Sequence, residues 1–125
     1  MTQQPLALVL YEKLLPGTQL VNRLQDLNYR VQAINDAAML TQCAEQLKPM
    51  VVLADLESSR YDVCQEISQL KNHPATRHLP VIAFGVEGNE KLQEQGKAAG
   101  VTLVASDAAL LSHLPQLLEQ ALHLE

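Results

Sequence analysis

The sequence predicts a doubly wound α/β fold, organised as a single domain over residues 1–125. Three observations carry this. Five short apolar runs recur along the chain, each bounded by polar or turn residues. Between them lie segments whose apolar residues return at helical spacing. The length is that of one domain, since domains cluster at roughly 100–150 residues.

Each run reads as a strand: Leu6–Leu10 (LALVL), Arg30–Ile34 (RVQAI), Met50–Ala54 (MVVLA), Val81–Gly85 (VIAFG) and Val101–Ala105 (VTLVA). The first, third and fourth are continuously apolar, as strands covered by helices on both faces should be. The second is half polar, which suits an edge.

The helices follow in order. Pro16 can occupy the first turn of helix 1, where its missing N–H costs nothing. Leu20, Val21, Leu24 and Leu27 then form its apolar stripe. Asp36 can N-cap helix 2, whose stripe is Met39, Leu40, Cys43 and Leu47. Asp62, with Gln65 three residues on, has capping-box spacing and opens helix 3. That helix buries Val63, Cys64, Ile67 and Leu70, and Pro74 ends it. Helix 4 spans about Asn89–Ala99, with Leu92 as its one large apolar residue. The last helix carries Leu110, Leu114, Leu117, Leu118, Ala121 and Leu122 as one continuous stripe.

Strands alternating with helices give a parallel sheet with right-handed crossovers. Five β-α units fit the flavodoxin-like (βα)5 arrangement, a five-stranded parallel sheet in order 2-1-3-4-5. Sites in such folds lie at the carboxyl ends of the strands.

Composition narrows the function classes. The net charge of -5 argues against direct nucleic-acid binding, which needs a basic surface. Cys43 and Cys64 show no metal-ligand spacing and read as small buried thiols. The N-terminal MTQQPLALVLYEK has no basic region and only a six-residue apolar run, so neither a signal peptide nor a membrane span is expected there. The expected location is cytoplasmic.

At the strand ends stand Tyr11 and Glu12, then Asp55, Leu56 and Glu57, then Gly85, Val86 and Glu87, and finally Ser106 and Asp107. In order 2-1-3-4-5, Glu12 and Asp55 are neighbours. Two carboxylates there could hold a hard cation such as Mg2+, or could stand as solvated acids. No glycine-rich phosphate loop follows strand 1, and Ser58 lacks a GxSxG context. His73, His78, His113 and His123 are scattered and read as surface residues.

Three stretches resemble one known family. NHPATRHLPVIAF (72–84) is similar to the connection between helix 3 and strand 4 of response-regulator receiver domains. PMVVLADLES (49–58) resembles their strand 3, and GKAAGVTLV (96–104) their turn into strand 5. The resemblance runs over essentially the whole chain and makes Asp55 the phospho-acceptor position. Glu12 matches the second of the family's two metal-binding acids, and Tyr11 replaces the first. Gly85 falls where the family has a hydroxyl residue. The family's lysine is absent, with no Lys or Arg after Lys97, and Ser106 or Asp107 takes its place. Strand 5 has no aromatic residue.

Phosphoryl transfer rests on neutralising charge with metal and cation. The losses therefore imply a degenerate, stand-alone pseudo-receiver. It would be a signalling domain, not an enzyme, that acts by protein–protein contact through helix 4, strand 5 and helix 5. Any exposed leucine of the last helix would offer a homodimer or partner surface. The first alternative is an atypical response regulator still phosphorylated on Asp55, with weak Mg2+ held by Glu12 and Asp55. The second is a flavodoxin-like domain that binds a small molecule. Tyr11 is expected to fill the space of the lost acid, its hydroxyl within reach of Asp55.

Overall fold

Alternate residues of a strand point to opposite faces of its sheet. An uninterrupted apolar strand therefore feeds two cores at once, and this protein has two. β1 (Leu6–Leu10), β2 (Arg30–Ile34), β3 (Val51–Asp55), β4 (Val81–Phe84) and β5 (Leu103–Val104) pair in parallel, in order β2-β1-β3-β4-β5. This is the expected flavodoxin-like order. The structure, a computed structural model, describes residues 4–58 and 60–123. The first three residues of the N-terminal stretch read above lie outside that range.

One core holds Leu8, Leu10, Val52, Ala54, Val81 and Ala83. It is covered by α2 (Leu40–Leu47), α3 (Val63–Asn72) and α4 (Glu90–Ala99). The other holds Ala7, Val9, Val51, Leu53, Ile82 and Phe84. It is covered by α1 (Leu14–Asp26), α5 (Asp107–Ser112) and α6 (Leu114–His123). Each fully buried Leu or Phe side chain contributes about 1.5–3 kcal/mol by leaving water. β2 sits at the edge with mostly exposed residues, as its polar composition requires.

The expected helix caps form. The Asp36 carboxylate accepts from the Ala38 N–H at 3.0 Å and opens a short 3-10 turn, Ala37–Met39, that leads into α2. Asp62 accepts from the Gln65 N–H at 3.1 Å. The structure adds a third cap, with Asn89 accepting from the Leu92 N–H at 3.0 Å. In the stripes, Leu20, Leu24, Leu40, Ile67 and Leu70 are buried, whereas Leu27, Met39 and Leu47 remain exposed. Cys64 is buried and Cys43 only partly so, and both thiols are free.

Two elements depart from the sequence reading. The last helix is broken at His113 into α5 and α6. Pro115 has no N–H to donate to Leu111, and its ring crowds that turn. In the first turn of a new helix neither defect matters. The fifth strand shrinks to two residues because Val101 is still tied to the end of α4, its N–H donating to the Gly96 carbonyl at 3.2 Å. Thr102 then closes the edge with both backbone and side chain. Its N–H donates to the Val81 carbonyl at 2.8 Å, and its hydroxyl accepts from the Val81 N–H at 3.1 Å. Among the described residues, no helix is long and apolar enough to cross a membrane.

Candidate functional site at the carboxyl edge of the sheet

Parallel pairing gathers the ends of β1, β3, β4 and β5 on one edge. Asp55 closes β3 opposite Phe84 and is only 3% exposed. Its Oδ1 accepts the Glu57 N–H at 2.9 Å. The next residue after Phe84 is Gly85, with φ +76. A Cβ there would stand 2.0 Å from Asp55 Oδ1. The Asp55 carboxylate thus occupies the volume that any side chain at position 85 would need, and glycine also adopts the left-handed backbone freely.

Asp107 reaches this point from the other side. Its Oδ1 accepts the Gly85 N–H at 3.0 Å. Its own N–H donates to Glu87 Oε1. Ser106 instead caps α5, its Oγ accepting the Ala109 N–H at 3.0 Å. Of Ser106 and Asp107, the one turned toward Gly85 and Asp55 is therefore Asp107.

Two cations at this edge escaped the sequence reading. Lys13, at the N-cap of α1, places Nζ 2.9 Å from Glu57 Oε1 and 3.8 Å from Asp55 Oδ2. Arg60 places Nε 2.8 Å from Glu12 Oε1 and donates through Nη2 to the Asn35 carbonyl at 3.1 Å. Its guanidinium lies 5.3 Å from the centre of the Tyr61 ring. The available signal for Lys13 was its place beside Glu12 in the loop after the first strand.

The charges settle accordingly. Burial pushes the Asp55 carboxyl above the usual carboxylate range. The nearby Asp107 and Glu57 charges add to this, and the Glu57 N–H and Lys13 oppose it. Asp107 is raised chiefly by burial, against the Gly85 N–H. Glu12 is held below its ordinary value by hydrogen bonds from Ser58 and Arg60. Lys13 is raised by its bond to Glu57.

Tyr11 does take up space beside the site, but it packs sideways. A Cβ on Gly17 of α1 would meet the Tyr11 ring at 2.1 Å, so the ring lies flush on that helix. Among the described residues its hydroxyl makes no hydrogen bond to Asp55. That expectation is corrected, because the ring belongs to the α1 side of the sheet.

A divalent metal at Glu12 and Asp55 meets three obstacles. Glu12 is taken by Arg60, and Asp55 faces the Lys13 ammonium. The cavity bounded by Tyr11, Glu12, Asn35, Asp55 and Ser58 measures about 10 Å³, room for roughly one water. Among the described residues no group of three or more His, Cys, Asp or Glu is placed to hold a metal ion. The residues as arranged do not fit the ion.

No protein-family model and no curated protein matches the chain. Solved structures share its fold throughout. The receiver domain of a sensor histidine kinase from Pseudomonas aeruginosa, with a magnesium ion in its active-site cleft, superposes with a TM-score of 0.86 at 18% identity, covering 97% of this chain and 99% of that one. The signal receiver domain of an HD domain-containing protein from Pseudomonas fluorescens gives 0.84 at 18% identity, covering 98% and 90%. The chemotaxis protein CheY4 of Vibrio cholerae gives 0.83 at 16% identity, covering 95% and 99%. In fold, therefore, the chain is similar over nearly its whole length to the receiver domains of response regulators and sensor kinases.

Proposed function

We propose that the chain is a pseudo-receiver, a signalling domain of the two-component type that acts by protein–protein contact with conventional phosphorylation weakened or lost. The observation that carries this is the pairing of Gly85 with Asp107 against Asp55. A phosphoryl group adds about 1.5–2 negative charges. On Asp55 it would enter a buried recess where Asp107 and Glu57 already oppose negative charge. The hydroxyl that would receive it is replaced by a glycine whose N–H is already given to Asp107.

The test is incubation with acetyl phosphate and Mg2+, followed by intact-mass measurement, with Asp55→Asn as control. No phosphoryl adduct is expected. An adduct on the native chain that Asp55→Asn lacks would establish the other reading, an atypical acceptor at Asp55. That reading has Lys13 in its favour, a cation within 3.8 Å of the carboxylate. Small-molecule binding at Asp55 itself is disfavoured by the size of the cavity it lines, about 10 Å³.

A cytoplasmic location and a protein partner go with the signalling reading. The contact surface assigned from sequence is α4, β5 and α5. A groove of about 340 Å³ lies there, lined by Gln93, Lys97, Val101, Leu103 and Val104 among others. Among the described residues the last helices supply no fully exposed leucine to it: Leu110, Leu114 and Leu118 are buried, Leu111 and Leu117 pack partly against the core, and Leu122 is half-buried. The exposed apolar groups sit elsewhere. Leu14, 76% exposed, and Met39 border a cavity with Tyr11, Ile34 and Cys43, and offer a second surface.

A further inference from the structure

We infer that Lys13 is a tethered counter-cation that takes the place of a divalent metal at Asp55. This deepens the pseudo-receiver reading and rests on it. The ammonium sits between two carboxylates, 2.9 Å from Glu57 and 3.8 Å from Asp55. A magnesium ion on Asp55 Oδ2 would bind at about 2.0–2.1 Å and keep several waters. It would then lie within about 6 Å of the Lys13 nitrogen. Ion and ammonium repel at that distance in a partly desolvated setting. Binding the metal therefore competes with Lys13 for Asp55.

The remaining acids do not compensate. Glu12 is held by Arg60 at 2.8 Å, and Tyr11 supplies no carboxylate. Asp107 spends an oxygen on the Gly85 N–H at 3.0 Å. The lysine also does mechanically what a bridging metal would do, because it ties the loop after β1 to the loop after β3. The difference is permanence: a tethered cation cannot be withdrawn by chelation or diluted away.

The test uses Mn2+ as a paramagnetic probe on the full chain, with no phosphoryl donor present. Broadening of the Asp55, Glu57 and Gly85 amide signals is followed in the native protein, Lys13→Met and Lys13→Arg, with Asp55→Asn as the site control. The native chain and Lys13→Arg should show no selective broadening of these three signals at millimolar Mn2+. Lys13→Met should gain it, with affinity rising at least about tenfold, the equivalent of about 1.4 kcal/mol. Selective, saturable broadening in the native protein overturns the inference, and so does equal response of native and Lys13→Met. The native arm stands even if a variant does not fold. Because no phosphoryl group is supplied, failure here leaves the acetyl phosphate result untouched.

Discussion

The loops after β1 and β3 are joined by charge pairs between long side chains, Lys13 with Glu57 and Arg60 with Glu12. The loops after β4 and β5 are joined by backbone N–H groups donating to carboxylates, Gly85 to Asp107 and Asp107 to Glu87. Both arrangements hold an edge crowded with acids. The first neutralises charge with cations on long side chains that stay half in water, Lys13 being 45% exposed and Arg60 56%. The second spreads it over fixed dipoles. Exposed pairs are screened by salt and contribute little each, whereas short bonds from N–H to carboxylate are stronger and less screened. One half of the edge should therefore respond to ionic strength and the other should not.

The strongest way to break the second half is Gly85→Thr, which puts back the hydroxyl. The left-handed backbone and the clash with Asp55 together should cost about 3 kcal/mol or more, read as a drop in urea midpoint. Adding Asp55→Ala should recover the part due to the clash, and a double-mutant cycle measures it. A Gly85→Thr protein with an unchanged midpoint would mean that the carboxylate moves aside freely.

Next in size is Asp107→Ala. It strands the Gly85 N–H and should cost about 1.5 kcal/mol, whereas Asp107→Asn keeps an accepting oxygen and should lose less. Smaller still is Lys13→Met, at about 0.5–1 kcal/mol in low salt. Its deficit should shrink in 1 M salt, where the Debye length is about 3 Å, while that of Asp107→Ala persists. Equal salt dependence of the two would erase the distinction between the halves.

The gentlest probe is pH. The folded Asp55 carboxyl titrates above its unfolded value, so between those two values the native state binds more protons than the unfolded one. Stability then falls as pH rises from the ordinary carboxylate range through the raised value. Asp55→Asn should be free of this loss and gain on the native chain toward neutral pH, with the gap closing in acid. Glu12 has the opposite sign. Its folded value is depressed, so its contribution is present at neutral pH and lost as pH falls through that depressed value. Glu12→Gln should therefore be the less stable protein at neutral pH.

The strands were readable because their apolar runs have no competing period, and the caps at Asp36 and Asp62 because a capping carboxylate acts within three residues of itself. The break at His113 was not, since the leucine stripe runs on past Pro115 with its spacing intact. Position in the site followed the same division. Asp55, Gly85 and Asp107 are backbone-fixed, each within a residue or two of a strand end, and a parallel topology brings such ends together. Lys13 and Arg60 act through long side chains across loops, reaching partners 44 and 48 residues away in sequence. The cation paired with Asp55 comes from the loop after the first strand, and the residue after the fifth that turns toward Gly85 is an acid.

The fit of Tyr11 against Gly17 has a consequence for how this sequence can drift. A ring at one position and a missing side chain at the other make a lock with two tumblers. An acid at position 11 leaves the space beside Gly17 unfilled, and an alanine at position 17 collides with the ring at 2.1 Å. Neither change is neutral alone for packing, so positions 11 and 17 are coupled and are expected to change together.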